Sequence, residues 1–182
     1  MRLFIAINFS DEIRNRILEI QDQLRSQTLS GNFTRSENFH LTLVFLGETP
    51  EEKLDCLFRI MEEIHEPPFE ISFNCSGCFS NRRRELWWIG ADQKSPCLPV
   101  LVKIHKQLLD RLLSAGFPVD TRPFKAHITI GREIERSRPV VLDFPGIKVK
   151  ADRISLMKSE HIKGKLCYTE IFGKVLAGDI LT

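Results

Sequence analysis

Two short strings, HLTL at 40–43 and HITI at 127–130, share one pattern of histidine, apolar residue, threonine, apolar residue. On an extended chain alternate side chains face the same way. His40 and Thr42 would therefore share a face with Leu41 and Leu43 behind them, and His127 and Thr129 would repeat this in front of Ile128 and Ile130. Imidazole titrates near neutrality, so one ring can accept a proton while its partner donates one. Two such faces across a groove suit in-line transfer at a cyclic phosphodiester. The base takes a proton from water, the water attacks phosphorus, and the acid protonates the ribose oxygen that leaves. The hydroxyls of Thr42 and Thr129 would donate to the non-bridging oxygens, where charge builds in the transition state. The near symmetry of the pair leaves acid and base unassigned, and the scheme needs neither metal nor cofactor. A single His-x-Thr is more often a polar strand surface, but two alike in apolar strands favour a site.

The elements that must position these residues are legible as alternating strands and helices. Arg2 to Asn8 reads as a strand, and Ser10 before Asp11 and Glu12 caps a helix with Ile13, Ile17, Ile20 and Leu24 on its buried side. Arg14, Gln21 and Arg25 are expected to face water. Phe39 to Leu46 is a strand closed by Gly47. Thr49, Pro50 and Glu52 spell a capping box for a second helix that buries Leu54, Leu57, Met61 and Ile64 and ends at Pro67 and Pro68. Phe69 to Cys78 and Glu85 to Ala91 read as strands around the turn SNRRR. Ser95-Pro96 opens a third helix with Leu101, Ile104, Leu108 and Ala115 inward and Gly116 as its stop. Lys125 to Arg132 is a strand, and Ile147 to Met157 with Leu166 to Val175 would close an antiparallel pair around Lys163-Gly164. Hairpin-length connections favour a mixed α+β layout over a doubly wound parallel sheet.

Composition narrows the partners. With 26 basic against 24 acidic side chains and a net charge of +2, no global field marks a nucleic-acid binder, so attraction to phosphate must be local. The opening apolar run is too short for a secretory signal and no stretch suits a membrane span, which reads as a cytoplasmic chain with no membrane partner. Cys56, Cys75, Cys78, Cys97 and Cys167 are odd in number and scattered. Cys75 and Cys78 have no second pair for zinc, and FNCSGCF reads as a strand entering a glycine turn, so these are expected to be apolar thiols. His65, His105 and His161 lack acidic or thiol companions at ligand spacing and read as structural, leaving no metal site. Arg82, Arg83 and Arg84 before Trp87 and Trp88 offer a basic turn with aromatic residues for a nucleotide backbone and base. Adjacent tryptophans on a strand face opposite ways, so at least one belongs to the core. Phe9 and Phe124, near the first strand and the second motif, could wall a cleft for a base.

RLFIAI at the start, FHLTLVFLG, PFKAHITIGR and the late YTEI run occur in an order and spacing that resemble the RNA 2′,3′-cyclic phosphodiesterases, also described as 2′-5′ RNA ligases, of the two-histidine phosphoesterase superfamily. The resemblance covers nearly the whole chain. It implies a single bilobal domain over residues 1–182, a LigT-like pair of antiparallel sheets with outer helices around a central cleft. It also implies His40 as proton donor, His127 as proton acceptor, Thr42 and Thr129 as phosphate ligands, and Arg132 as a guanidinium on phosphate. The implied substrate is RNA ending in a 2′,3′-cyclic phosphate, opened to a 2′-phosphate, with 2′-5′ joining as related chemistry in reverse. Alternatives are a phosphodiesterase for small cyclic nucleotides such as ADP-ribose 1″,2″-cyclic phosphate or for 2′-5′ oligoadenylates, and a silent RNA-binding module. A monomer is expected.

Overall fold

The computed structural model describes residues 1–81, 84–91, 95–96 and 98–178. In chain order the elements are β1 (Arg2–Asn8), α1 (Asp11–Ser26), β2 (Ser30–Phe33), β3 (His40–Glu48), α2 (Leu54–Glu62), β4 (Phe69–Asn81), β5 (Arg84–Ala91), α3 (Leu98–Ser114), β6 (His127–Glu135), β7 (Ile147–Ala151), β8 (Arg153–Ile162) and β9 (Lys165–Val175). They make two antiparallel sheets, one in the order β3-β1-β8-β9 and the other in the order β2-β6-β5-β4-β7. One apolar core runs through both, with Leu3, Ile5 and Ile7 of β1, Leu41 of β3, and Ile128 and Ile130 of β6 all at or below 1% exposure. The partner face of β1 is covered as well, by a small cluster of Phe4, Ala6 and Met157 with Tyr168 against it. Alternation along the strands thus aims one set of side chains at the helices and the other at the space between the sheets.

The helices follow their caps and stripes, with three departures from the sequence expectation. In α1, Ser10 Oγ accepts the Ile13 N–H at 3.4 Å, and Ile17, Ile20 and Leu24 are buried. Gln21 does not face water: it is 1% exposed, and its Nε2 donates to the carbonyls of Thr34 at 2.7 Å and Ile130 at 2.6 Å. A buried amide survives there because its two donors meet two backbone acceptors. The capping box at Thr49 does not form. Thr49 is buried with its hydroxyl on the Gly47 carbonyl, Pro50 is extended, and a 3₁₀ turn at Glu51–Lys53 leads into α2. The buried stripe of α3 ends on Leu112, leaving Ala115 exposed. The helix is already turning away there: Gly116 at φ +74 accepts the left-handed conformation, its N–H bonds the Leu113 carbonyl, and the Phe117 N–H reaches back to Leu112.

Two strands also differ from expectation. The run Ile147 to Met157 is not one strand but β7 and β8, which part at Asp152 to join different sheets. The phase of alternation changes at this corner: Ile147, Val149 and Ala151 are buried, Asp152 and Arg153 are exposed, and burial resumes at Ile154 and Leu156, so the two adjacent polar residues marked the break. Nor does β4 turn at Gly77; it stays paired with β5 as far as Asn81. Gly77 serves close approach instead, since a Cβ there would meet Trp88 Cζ2 at 2.5 Å. The Gly77→Ala variant is expected to lose about 1–3 kcal/mol of stability in urea unfolding, because a rigid indole must shift. An unchanged midpoint would show that the ring is free to move.

Candidate active site

His40 opens β3, an edge strand of its sheet, and His127 opens β6 in the other sheet. The two rings are held alike. His40 Nδ1 lies 2.7 Å from the Asn38 carbonyl and His127 Nδ1 lies 2.7 Å from the Lys125 carbonyl, in each case two residues earlier in the chain. A carbonyl only accepts, so both Nδ1 atoms carry hydrogen and both Nε2 atoms remain for chemistry. His40 Nε2 is 3.0 Å from Thr42 Oγ1, which can donate to the neutral ring.

Aromatic rings back each imidazole. His40 rests on Phe4, with centroids 4.7 Å apart, and meets Tyr168 edge-on at 5.2 Å. His127 meets Phe79 edge-on at 5.4 Å and Trp88 at 6.4 Å, and Lys125 Nζ stands 3.8 Å over the Trp88 ring. The environments have electrostatic consequences. Burial pushes His40 down from 6.5 to about 4, helped by the positive charges of Arg132 and His127 and opposed by the Asn38 hydrogen bond. Burial also lowers His127, with the Lys125 and Arg132 cations adding to the effect and the Lys125 carbonyl bond opposing it. In the free protein, then, His40 is the ring held more firmly neutral.

A cleft cavity of about 550 Å³ is lined by His40, Thr42, His127, Thr129, Arg132 and Tyr168 among others. Arg132 reaches it because β6 is irregular. Strict alternation from Ile128 and Ile130 would turn residue 132 toward the core. Instead Trp88 pairs with Thr129, Trp87 with Gly131 and Glu85 with Ile134, so β6 carries two extra residues against β5, and the first leaves Ile130 and Gly131 both buried and turns Arg132 outward. Glu133 takes φ +53 in the second irregularity, between Gly131 and Ile134, and Arg132 is exposed. Bulges re-aim side chains in this way. Glu133 is itself occupied, accepting from Asn32 Nδ2 and Arg84 Nη1, each at 2.6 Å. Among the described residues Arg132 makes no ion pair, and its fork of donors is free for an anion.

The structure brings together His40, Thr42, His127, Thr129 and Arg132, but not the two phenylalanines expected beside them. Phe9 is 5% exposed and packs edge-on against Phe73 in the core. Phe124 stacks on His105 at 4.5 Å, and His105 Nδ1 lies 2.9 Å from the Leu43 carbonyl, a contact that ties α3 to β3. Both rings therefore pack away from the cleft lining. Arg82 and Arg83 lie outside the described residues, while Arg84 is engaged by Glu133. Of the tryptophans, Trp87 joins the main core and Trp88 floors the His127 side. Cys75 donates to the Gly90 carbonyl, and burial raises the Cys78 thiol. Sequence reasoning missed Phe4, Asn38, Lys125 and Tyr168. For Tyr168, the chain's one tyrosine, the available signal was its place in an alternating strand.

Two lobes of antiparallel sheet around a cleft with a His-x-Thr strand from each are the architecture of a two-histidine phosphoesterase. Comparison with known proteins agrees. The family described as LigT like Phosphoesterase matches residues 7–88. An RNA 2′,3′-cyclic phosphodiesterase of Archaeoglobus fulgidus is 37% identical over 145 residues, spanning 79% of this chain and 78% of that one. A protein of the same name from Thermotoga maritima is 30% identical over 170 residues, 87% of each chain. The crystal structure of E. coli LigT complexed with 3′-AMP superposes with a TM-score of 0.83 at 26% identity, covering 96% of this chain and 97% of the other. The chain belongs to the LigT-like phosphoesterase family. Among the described residues no helix is long and apolar enough to cross a membrane.

Proposed function

We propose that the protein hydrolyses the 2′,3′-cyclic phosphate at the end of an RNA to a 2′-phosphate, using His40 and His127 as its acid and base. What carries this reading is the convergence of both imidazoles and the unpaired Arg132 on one cavity. One ring takes a proton from water as the water attacks phosphorus. The other gives its proton to the departing ribose 3′ oxygen, while Thr42, Thr129 and Arg132 hold the non-bridging oxygens. The family resemblance implies that His40 is the proton donor. Its burial works against that role until the substrate's negative charge arrives beside the ring and stabilises the imidazolium. On this reading the chain acts as one bilobal domain, as a cytoplasmic monomer without cofactor.

A short RNA with a 2′,3′-cyclic end, incubated in excess EDTA, should yield the 2′-phosphate; no product, or product only with added divalent metal, would end the proposal. The pH dependence follows from the direction of the shifts. Both imidazoles of the free protein titrate below 6.5, so the singly protonated pair is most populated on the acid side of neutrality, and kcat/KM should peak there. Bound phosphate raises the donor, so kcat should persist to higher pH than kcat/KM. Coincident profiles centred above neutrality would remove the electrostatic part of the mechanism.

A further inference from the structure

The cleft continues past His40 into a second cavity of about 700 Å³ that shares His40, Thr42 and Arg132 and extends to Arg2, Lys158 and His161. Phe45 stands at the junction, lining both spaces and 45% exposed. The Arg2 guanidinium lies 5.1 Å from the centre of its ring. Among the described residues Arg2 has no ion pair. The two carboxylates on this rim are engaged elsewhere, Glu160 by Lys158 at 2.8 Å and Glu48 by the Met1 amine at 3.7 Å. At the opposite end of the cleft the cations are committed, Arg35 to Glu37 and Arg122 to Asp120. Lys125 over Phe79, 41% exposed, makes a similar pair beside His127, but neither residue lines either cavity. Among the described residues that line the two cavities, Arg2 and Phe45 alone set a cation without an ion pair over an exposed ring.

Such a pair is what a single strand uses, a face for a base and a charge for the adjoining phosphate. The ribose that carries a 2′,3′-cyclic phosphate joins its chain only through its 5′ oxygen, so the strand can leave the cleft in one direction. We infer that the Arg2–Phe45 cavity holds the nucleotide next to the cyclic end, which makes a single-stranded RNA a better substrate than a cyclic mononucleotide. This rests on the cyclic-phosphate reading above, and it selects among the substrates that reading allows.

The test compares kcat/KM for a cyclic mononucleotide and for a hexanucleotide with the same cyclic terminus, across a range of salt. The parent protein should favour the hexanucleotide. The Arg2→Glu variant should lose about tenfold or more on the hexanucleotide and flatten its log–log salt slope by about 0.7, the value of one phosphate contact on a single strand, while mononucleotide turnover stays within about twofold. Arg122→Glu should leave the ratio of the two substrates unchanged. Equal losses on both substrates, no parental preference, or a selective loss in Arg122→Glu instead would overturn the inference and leave the hydrolase reading standing. If neither substrate turned over, that reading would fail. Fluorescence anisotropy of a labelled hexanucleotide would then decide the inference, which requires weaker binding by Arg2→Glu.

Discussion

Replacing His127 by alanine is expected to lower kcat about 10²- to 10⁴-fold, with a melting temperature close to that of the parent protein. The ring is half-buried at the start of a strand, and among the described residues it hydrogen-bonds only the Lys125 carbonyl, which water can satisfy in its absence. Alanine at His40 should have a rate effect in the same range but a larger structural one, because that ring also fills the space over Phe4 and beside Tyr168. His40→Gln, which can keep a donor near the Asn38 carbonyl, separates the two contributions. There is a linked stability effect. His40 titrates at about 4 when folded against 6.5 ordinarily, so between these values the unfolded chain binds the additional proton. The stability that His40 provides is complete above 6.5 and is lost as pH falls toward 4. Thermal unfolding of His40→Gln should show a shallower decline across that window. Single variants that both keep near-parental rates would falsify the acid–base assignment.

The paired histidines were legible because period-two alternation survives in both strands: Leu41 and Leu43, like Ile128 and Ile130, are buried where the pattern puts them. Arg132 was different. Alternation points residue 132 inward, and only family resemblance named it, since it is turned outward by a register shift against β5 between Thr129 and Gly131 that no local periodicity encodes. Gln21 misled for a related reason. Its type predicts solvent, but two carbonyls from segments 13 and 109 residues away compensate its burial, and such partners are invisible until the chain is folded. Gly77 and Thr49 carried correct residue preferences with the wrong cause, one making room for an indole and the other tied to Gly47. Helix existence followed from stripes and stops. Sheet membership did not, because the separation of β7 from β8 at Asp152 is set by which neighbour each half pairs with.

Arg132→Ala is expected to reduce kcat by about 10²- to 10³-fold, the usual cost of removing a fixed donor from a developing anion. Among the described residues Arg132 makes no ion pair, and its charge is felt by both imidazoles while it borders both cavities. Lysine at this position restores a cation without the two-pronged geometry, so it should recover only part of the loss. A second readout distinguishes contact with phosphate from mere support of the fold. Removing a cation that disfavours both imidazolium forms should move the acid limb of kcat/KM to higher pH, whereas a loss of structure alone would lower the plateau without moving the limb. The bulge supplies the converse experiment. Glu133→Gly relieves the positive φ yet gives up the carboxylate that holds Asn32 and Arg84. If Arg132 acts through its aim, that variant should lose kcat and move the acid limb in the same direction as Arg132→Ala. Parental kcat in Arg132→Ala would mean that the two histidines and their threonines carry the phosphate unaided.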